Sequence, residues 1–269
     1  MIGYGNSVFL RRSFGPGIPP VDPDAQAFIT AAAITNPTQQ AAINTLVVSL
    51  KGYNVWTKMK AIYPMVGGTA STHKFNLKDP RDLDAAFRLT YGGGLTHSSN
   101  GITGNGLNGF ANTKWIQNVN GTLNNQSIGI YTRTNNNFAG IDMGARIGAT
   151  SDLSLAAYGG SPVVGRVNTY ANSVSITGTP QGFFQTTRTG GASQTVFLNA
   201  SYVTTAISTS TAILDMPIYL FAMNVNNIDL YHTNRNYAFA YIADGLTITE
   251  AGNLRTAVQA FQTTLGRQV

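Results

Sequence analysis

Residues 237–269, YAFAYIADGLTITEAGNLRTAVQAFQTTLGRQV, change hydrophobic period once and sharply. From Tyr237 to Ile242 every residue is apolar or aromatic, the pattern of a strand buried on both faces, and Asp244-Gly245 breaks the run. Thr249 then stands where an N-cap is needed, Leu254, Ala257, Val258, Phe261 and Leu265 recur at helical spacing, and Gly266 is placed to end the helix. The stretch predicts a last strand followed by a helix over 249–265, and therefore a β-domain closed by one docked helix.

Upstream, from Gly67 to about Leu230, short runs rich in β-branched and aromatic residues alternate with Gly/Asn/Ser clusters. The runs predict strands at 85–91, 127–131, 139–147, 153–158, 173–176, 182–186, 195–199 and 218–224. Asn135-Asn136-Asn137 and Gly190-Gly191 supply turn residues that tolerate positive φ. Many short strands at such spacing predict a sandwich or jelly roll rather than a parallel α/β sheet. No internal repeat of solenoid length is visible.

Ahead of this region, residues 22–66 read as helical. Asp22 or Asp24 can cap a first helix through about Ala33, and Asn36-Pro37-Thr38 starts a second whose apolar face is Ala42, Ile43, Leu46, Val47 and Leu50, with Gly52 as its stop. A third short helical or irregular piece holds Val55, Trp56, Met59 and Ile62 and ends at Tyr63-Pro64. Residues 1–21 are too rich in Gly and Pro for helix or central strand and read as an extended arm. Two readings of the arm stay open: a disordered terminus, or an assembly arm with Phe9 and Phe14 as anchors and Arg11 and Arg12 pairing acidic surface. The domain plan is an arm (1–21), a helical segment packed on the sandwich (22–66), and the β-sandwich with its closing helix (67–269).

Charged residues make up 10% of the 269, against about 25% in ordinary soluble domains, so Thr, Asn, Ser and Gln carry the polarity. The net charge of +6 arises from scarcity of acid: there are 11 Asp plus Glu, and Glu250 is the sole glutamate. Lys and Arg lie scattered, which argues against a nucleic-acid partner. The count of 0 cysteines excludes disulfides, thiolate nucleophiles and Cys-based zinc sites. No apolar run is long enough for a membrane helix, so no membrane insertion is expected, and the N-terminus makes a poor signal peptide.

Catalytic patterns find little support. Asp79, Asp82 and Asp84 form the sole close acidic set, but KDPRDLD reads as a turn with local salt bridges and not as one strand aiming two carboxylates into a cleft. His73, His97 and His232 are isolated in sequence, with no metal-binding spacing, and neither a nucleophile elbow nor a Walker A loop occurs. No cofactor is expected; a rim calcium held by Asp142 near Asn135–Asn137, or by Asp152, is the alternative. A glycan site needs only an aromatic platform with amides and hydroxyls, for which Trp115, Tyr158, Tyr170 and Asn135, Asn136 and Asn137 are the candidates. For Trp115 the competing reading is a ring covering a sandwich edge.

Four segments carry a family resemblance: the closing stretch, the entry DPDAQAFITAAAITNPTQQAAINTLVVSLKGYNVWTKMKAIYPMVGG, the linker STHKFNLKDPRDLDAAFRLTY, and VFLNA at 196–200. Together they resemble bacteriophage virion proteins, especially from phages of Bacteroidetes hosts, that contain a concanavalin A-like, laminin G-like sandwich. The resemblance implies a mainly β jelly-roll with N-terminal helices and one C-terminal helix. It also implies a non-enzymatic structural role in a virion, as head fibre, spike, decoration protein or tail fibre, among other virion proteins and in a homo-oligomer, with a host-surface glycan or receptor as a further partner. A carbohydrate-active enzyme and a free lectin on the same fold are the alternatives.

Overall fold

The computed structural model describes residues 20–157, 162–199 and 202–269. The assembly arm with Phe9, Arg11, Arg12 and Phe14 lies outside the described residues, as does Tyr158.

Two sheets face each other. The first runs in the order Tyr202–Ile207, Ser193–Leu198, Gly182–Arg188, Gln126–Thr132, Asn236–Ala243, Gly101–Gly104, Leu95–Ser98, with Met59–Tyr63 also paired to Asn236–Ala243. The second runs Val174–Ile176, Val163–Val167, Ser151–Ala157, Met143–Ile147, Pro217–Leu220, Phe110–Ile116, Thr90–Gly92, with the Met223–Val225 and Ile228–Leu230 hairpin beside Met143–Ile147. Pairing is antiparallel except between Met223–Val225 and Met143–Ile147.

Alternation along the strands builds two large cores. One lies between the sheets and includes Ile128, Ile130, Leu153, Leu155, Phe184 and Ile242. The other lies between the first sheet and a helical layer and includes Tyr131, Phe183, Phe239 and Tyr241 from the sheet, with Phe28, Leu46, Leu50, Leu254, Val258 and Phe261 from the helices. The protein thus has three layers, and the Asn236–Ala243 strand is buried on both faces, as its unbroken apolar run requires.

The helical layer begins as its capping residues dictate. Asp22 caps Pro23–Ala31 by accepting from the Asp24 amide at 3.0 Å, and Asn36 caps Pro37–Gly52 by accepting from the Gln39 amide at 3.1 Å. The expected apolar face of the second helix is buried throughout. The C-terminal helix spans Ile248–Thr264, and Gly266 takes the left-handed conformation at φ +64° just past its end.

Several boundaries differ from expectation for local reasons. The N-cap of the closing helix is Thr247, not Thr249, because Thr247 and Glu250 form a reciprocal capping box and Glu250 is further held by Lys58 at 2.7 Å. Residues 55–62 form a short 3₁₀ turn, Trp56–Lys58, and then a strand, Met59–Tyr63, whose side chains reach both cores. The expected strand at 85–91 shrinks to Thr90–Gly92, since Asp84–Ala86 makes a 3₁₀ turn and Phe87 sits at φ +60°. The expected strand at 218–224 is two strands, divided at Phe221 with φ +67°. Strands at Leu95–Ser98, Gly101–Gly104, Phe110–Ile116, Val163–Val167, Tyr202–Ile207 and Ile228–Leu230 have no counterpart among the expected ones.

Candidate functional site

The first sheet packs its outer face on the helices, whereas among the described residues no helix packs on the outer face of the second sheet. In Met143–Ile147, Ser151–Ala157 and Val163–Val167, residues 143, 145, 153, 155, 163 and 167 point into the inter-sheet core. Period-two alternation therefore turns Arg146, Asp152, Ser154 and Arg166 outward. Pairing register sets Arg146 opposite Asp152 and Ser154 opposite Arg166. A small apolar cluster of Ile141, Ala156, Met223 and Val225 lies beside them.

These residues line a recess of about 370 Å³, walled by Ile141, Arg146, Asp152, Arg166, Tyr170 and Tyr231, among others. The Arg146 guanidinium carbon lies 5.8 Å from the Tyr170 ring centre and 5.4 Å from that of Tyr231, and its Nη2 donates to the Tyr231 hydroxyl at 3.3 Å. Both rings are substantially open to solvent, at 40% for Tyr170 and 51% for Tyr231. Asp152 is 2% exposed.

Its carboxylate is poorly neutralised. Arg166 Nε approaches Asp152 Oδ2 only to 3.9 Å, and Asp152 Oδ1, Arg146 Nε and Arg166 Nε are buried atoms without a hydrogen-bond partner among the described residues. Burial pushes the Asp152 carboxyl up to about 6, and a hydrogen bond from Ser154 and the charges of Arg166 and Arg146 only partly oppose that rise. The recess therefore holds two guanidinium groups, one reluctant carboxyl and two open aromatic faces, with the hydrogen-bonding capacity of the arginines and the carboxyl incompletely used. That set can bind a small polar anion with an apolar side.

The residues singled out from sequence are dispersed. Tyr170 lines the recess, and so does Asp152, which the sequence offered as a calcium ligand. Trp115 is no platform: it is fully buried between the sheets, where even the Cβ of an alanine at Gly121 would meet its ring at 2.9 Å. Asn135 and Asn137 are exposed on the connection between Gln126–Thr132 and Met143–Ile147, and the Asn136 side chain donates to Asn234 Oδ1 at 2.8 Å. Asp142 is not a calcium ligand, because it is wholly buried, ion-paired to Arg235 at 2.9 Å, and accepts from the Tyr237 hydroxyl and the Ala157 amide. Among the described residues no group of three His, Cys, Asp or Glu is placed to hold a metal.

The Asp79, Asp82 and Asp84 carboxylates are engaged at the surface by Arg81, by Lys74 and Arg88, and by Arg88 and Lys114 respectively. His73 and His97, far apart in sequence, meet with Nδ1 atoms 3.0 Å apart, and burial, helped by His97 and Arg267, lowers His73 to about 3. Sequence reasoning missed Arg146, Arg166 and Tyr231. The available signal was single charges alternating with apolar residues in GARIG and VGRVN.

No family model matches the chain, and no curated protein matches it. Solved structures do. The botulinum neurotoxin type C structure described by its cell entry through two ganglioside molecules matches at TM-score 0.53 and 11% identity, over 77% of this chain and 52% of that one. The LG4-5 domains of the mouse laminin α1 chain match at TM-score 0.32 and 14% identity, over 44% of this chain and 33% of that one. The K499G mutant of NanB sialidase from Streptococcus pneumoniae matches at TM-score 0.37 and 11% identity, over 49% of this chain and 24% of that one. The fold is a jelly-roll β-sandwich of two largely antiparallel sheets. At these identities the likeness is one of fold, and the chain spans about a quarter of the length of the sialidase it matches. No helix among the described residues is long and apolar enough to cross a membrane.

Proposed function

We propose that the protein is a non-enzymatic, adhesive structural component of a bacteriophage virion, and that the recess on the outer face of the second sheet binds a glycan of the host surface. The observation that carries the adhesive part is the combination, in one open recess, of exposed Tyr170 and Tyr231 faces with unpartnered polar atoms of Arg146, Asp152 and Arg166. Core-facing neighbours on three paired strands hold Arg146, Asp152 and Arg166, so the charged part of the site is preformed, which limits the ordering cost of binding. The helical layer packs on the first sheet and, among the described residues, does not cover this face. The virion setting rests on the resemblance of the entry, linker and closing segments, and it brings with it homo-oligomerisation and contacts with other virion proteins.

The recess is lined by one carboxyl group, Asp152, whereas the common glycosidase mechanisms need two. Binding without turnover is the chemistry that this arrangement supports. Three measurements test the proposal. Labelled antibody against the protein should decorate intact phage particles, and Tyr231→Ala together with Arg166→Ala should abolish retention of the purified chain on host-cell surface polysaccharide while leaving its melting temperature nearly unchanged. Retention unaffected by the paired substitution would refute the site, and particles that do not bind the antibody would leave a free lectin in place of a virion protein. Release of reducing ends from that polysaccharide, lost in Asp152→Asn, would overturn the non-enzymatic reading.

A further inference from the structure

The chemistry of the recess narrows its ligand beyond a glycan in general. Resting on the adhesive reading above, we infer that the recess takes a sugar bearing a carboxylate, with the anion between Arg146 and Arg166 and the ring against Tyr170 or Tyr231.

The charge count comes first. Two guanidinium groups face one carboxyl, so the recess is cationic whichever state Asp152 adopts. Arg146 and Arg166 keep their Nε atoms buried and without a partner, and neither is satisfied by Asp152, since the nearer approach is 3.9 Å. Both side chains are partly exposed, so a carboxylate in the recess would meet the outer edges of the guanidinium groups, in charge-assisted hydrogen bonds stronger than those a neutral hydroxyl offers. A neutral sugar would leave the guanidinium groups uncompensated.

Size and shape come next. A recess of about 370 Å³ lies near the lower end of the range for small-molecule sites, so it encloses one sugar unit and leaves the rest of a chain outside. The open rings of Tyr170 and Tyr231 and the apolar Ile141 and Met223 provide a surface for the C–H face of a pyranose, which an inorganic anion would not use.

Asp152 sets how capture of the anion responds to pH. Ionised, it repels any anion; protonated, it becomes a donor beside the bound oxygen. The charged and titratable groups lining the recess are Arg146 from Met143–Ile147, Arg166 from Val163–Val167, and Tyr170 and Tyr231 from the adjoining loops, so Asp152 is the carboxyl among them. Its upward displacement to about 6 means that mild acid removes the repulsion while a sugar carboxylate stays ionised. Capture should therefore strengthen as pH falls from about 7.5 to about 5.

The test uses the full chain and isothermal titration with glucuronate, galacturonate and N-acetylneuraminate, their neutral counterparts glucose, galactose and N-acetylmannosamine, and sodium sulfate. At least one acidic sugar should bind at least about tenfold more tightly than its neutral counterpart, and at least about threefold more tightly at about pH 5 than at about pH 7.5, with weakening as salt rises. Arg146→Gln and Arg166→Gln should each lose about tenfold or more, and Asp152→Asn should remove the pH dependence while retaining binding. Circular dichroism melts of the three variants confirm folding, and the partly exposed arginines allow Lys replacements as a second set.

Equal binding of neutral and acidic sugars, insensitive to the arginine variants, would overturn the inference and leave the adhesive reading standing. Sulfate binding as tight as the best sugar would also overturn it, in favour of a simple anion site. No binding of any sugar, together with unchanged retention of the arginine variants on host-surface polysaccharide, would overturn both.

Discussion

Replacing Asp142 by alanine is the most severe single test of how the sandwich is held together beneath the recess. Asp142 and Arg235 are both fully buried, and the carboxylate also accepts from the Tyr237 hydroxyl and the Ala157 amide, while Arg235 Nη2 donates to the Phe138 carbonyl at 2.6 Å. Removing the carboxylate strips a buried guanidinium of its counter-charge, an event that typically costs about 3–5 kcal/mol. The amide and hydroxyl that lose their acceptor belong to the same disruption and push the value toward the upper end. With an unfolding entropy of about 2.1 cal/mol/K per residue, 269 residues give about 0.56 kcal/mol/K, so the melting temperature should fall by about 5–9 °C. Scanning calorimetry at neutral pH reads this directly, and the loss should barely change with added salt, since the pair is shielded from solvent. Asp142→Leu combined with Arg235→Met should recover much of the loss, because an apolar pair no longer carries a desolvated charge. A fall below about 1 kcal/mol for Asp142→Ala would refute the argument, being the cost expected of a site that the interior does not depend on.

Three further outcomes are expected. Phe261→Ala should cost about 3–5 kcal/mol in chemical denaturation, because the ring is 2% exposed and packs edge-on against Phe239 at 6.3 Å. Thr247→Ala should cost about 1 kcal/mol by loss of the capping box and Thr249→Ala far less, and equal costs would show that the cap is misplaced. Asp152→Asn should raise stability at about pH 8 by about 1–3 kcal/mol: the folded-state carboxyl titrates near 6 against 3.8 unfolded, so folding takes up a proton, and the stability this contributes is complete below 3.8 and is lost as pH rises through 6. The advantage of the variant should shrink toward zero at about pH 4, and a difference independent of pH would show that the carboxyl is not perturbed.

Where one hydrophobic period dominated, the fold was legible. The unbroken run at 237–242, the helical spacing from Leu254 to Leu265 and the Asn36 and Asp22 caps all reappear in the structure. The Thr247 cap was also written in the sequence, as Thr-x-x-Glu, but a threonine two positions on competes for the same role until the Glu250 partner is considered. Met59–Tyr63 could not be read from local pattern, because its strand character comes from pairing with Asn236–Ala243, a segment near the other end of the chain. The strands Tyr202–Ile207 and Gly101–Gly104 were hidden for a related reason: their polar and glycine residues are held by ladders rather than by apolar alternation. The recess was the least legible part. Its charged members come from three strands, and only the register of Arg146 with Asp152 and of Ser154 with Arg166 brings them together.

The Asn236–Ala243 strand has a consequence for how the protein comes into being. It sits in the middle of the first sheet and pairs with Gln126–Thr132, Met59–Tyr63 and Gly101–Gly104, so any chain interrupted before residue 236 lacks the piece that joins the two halves of that sheet. On the ribosome, the segments made earlier must wait with their apolar faces uncovered until this strand and the helix that follows it have emerged. A product terminated before this strand should accordingly be cleared by proteases or aggregate rather than compete for a place in an assembly, which makes emergence of the strand and its helix the checkpoint on which copies fold.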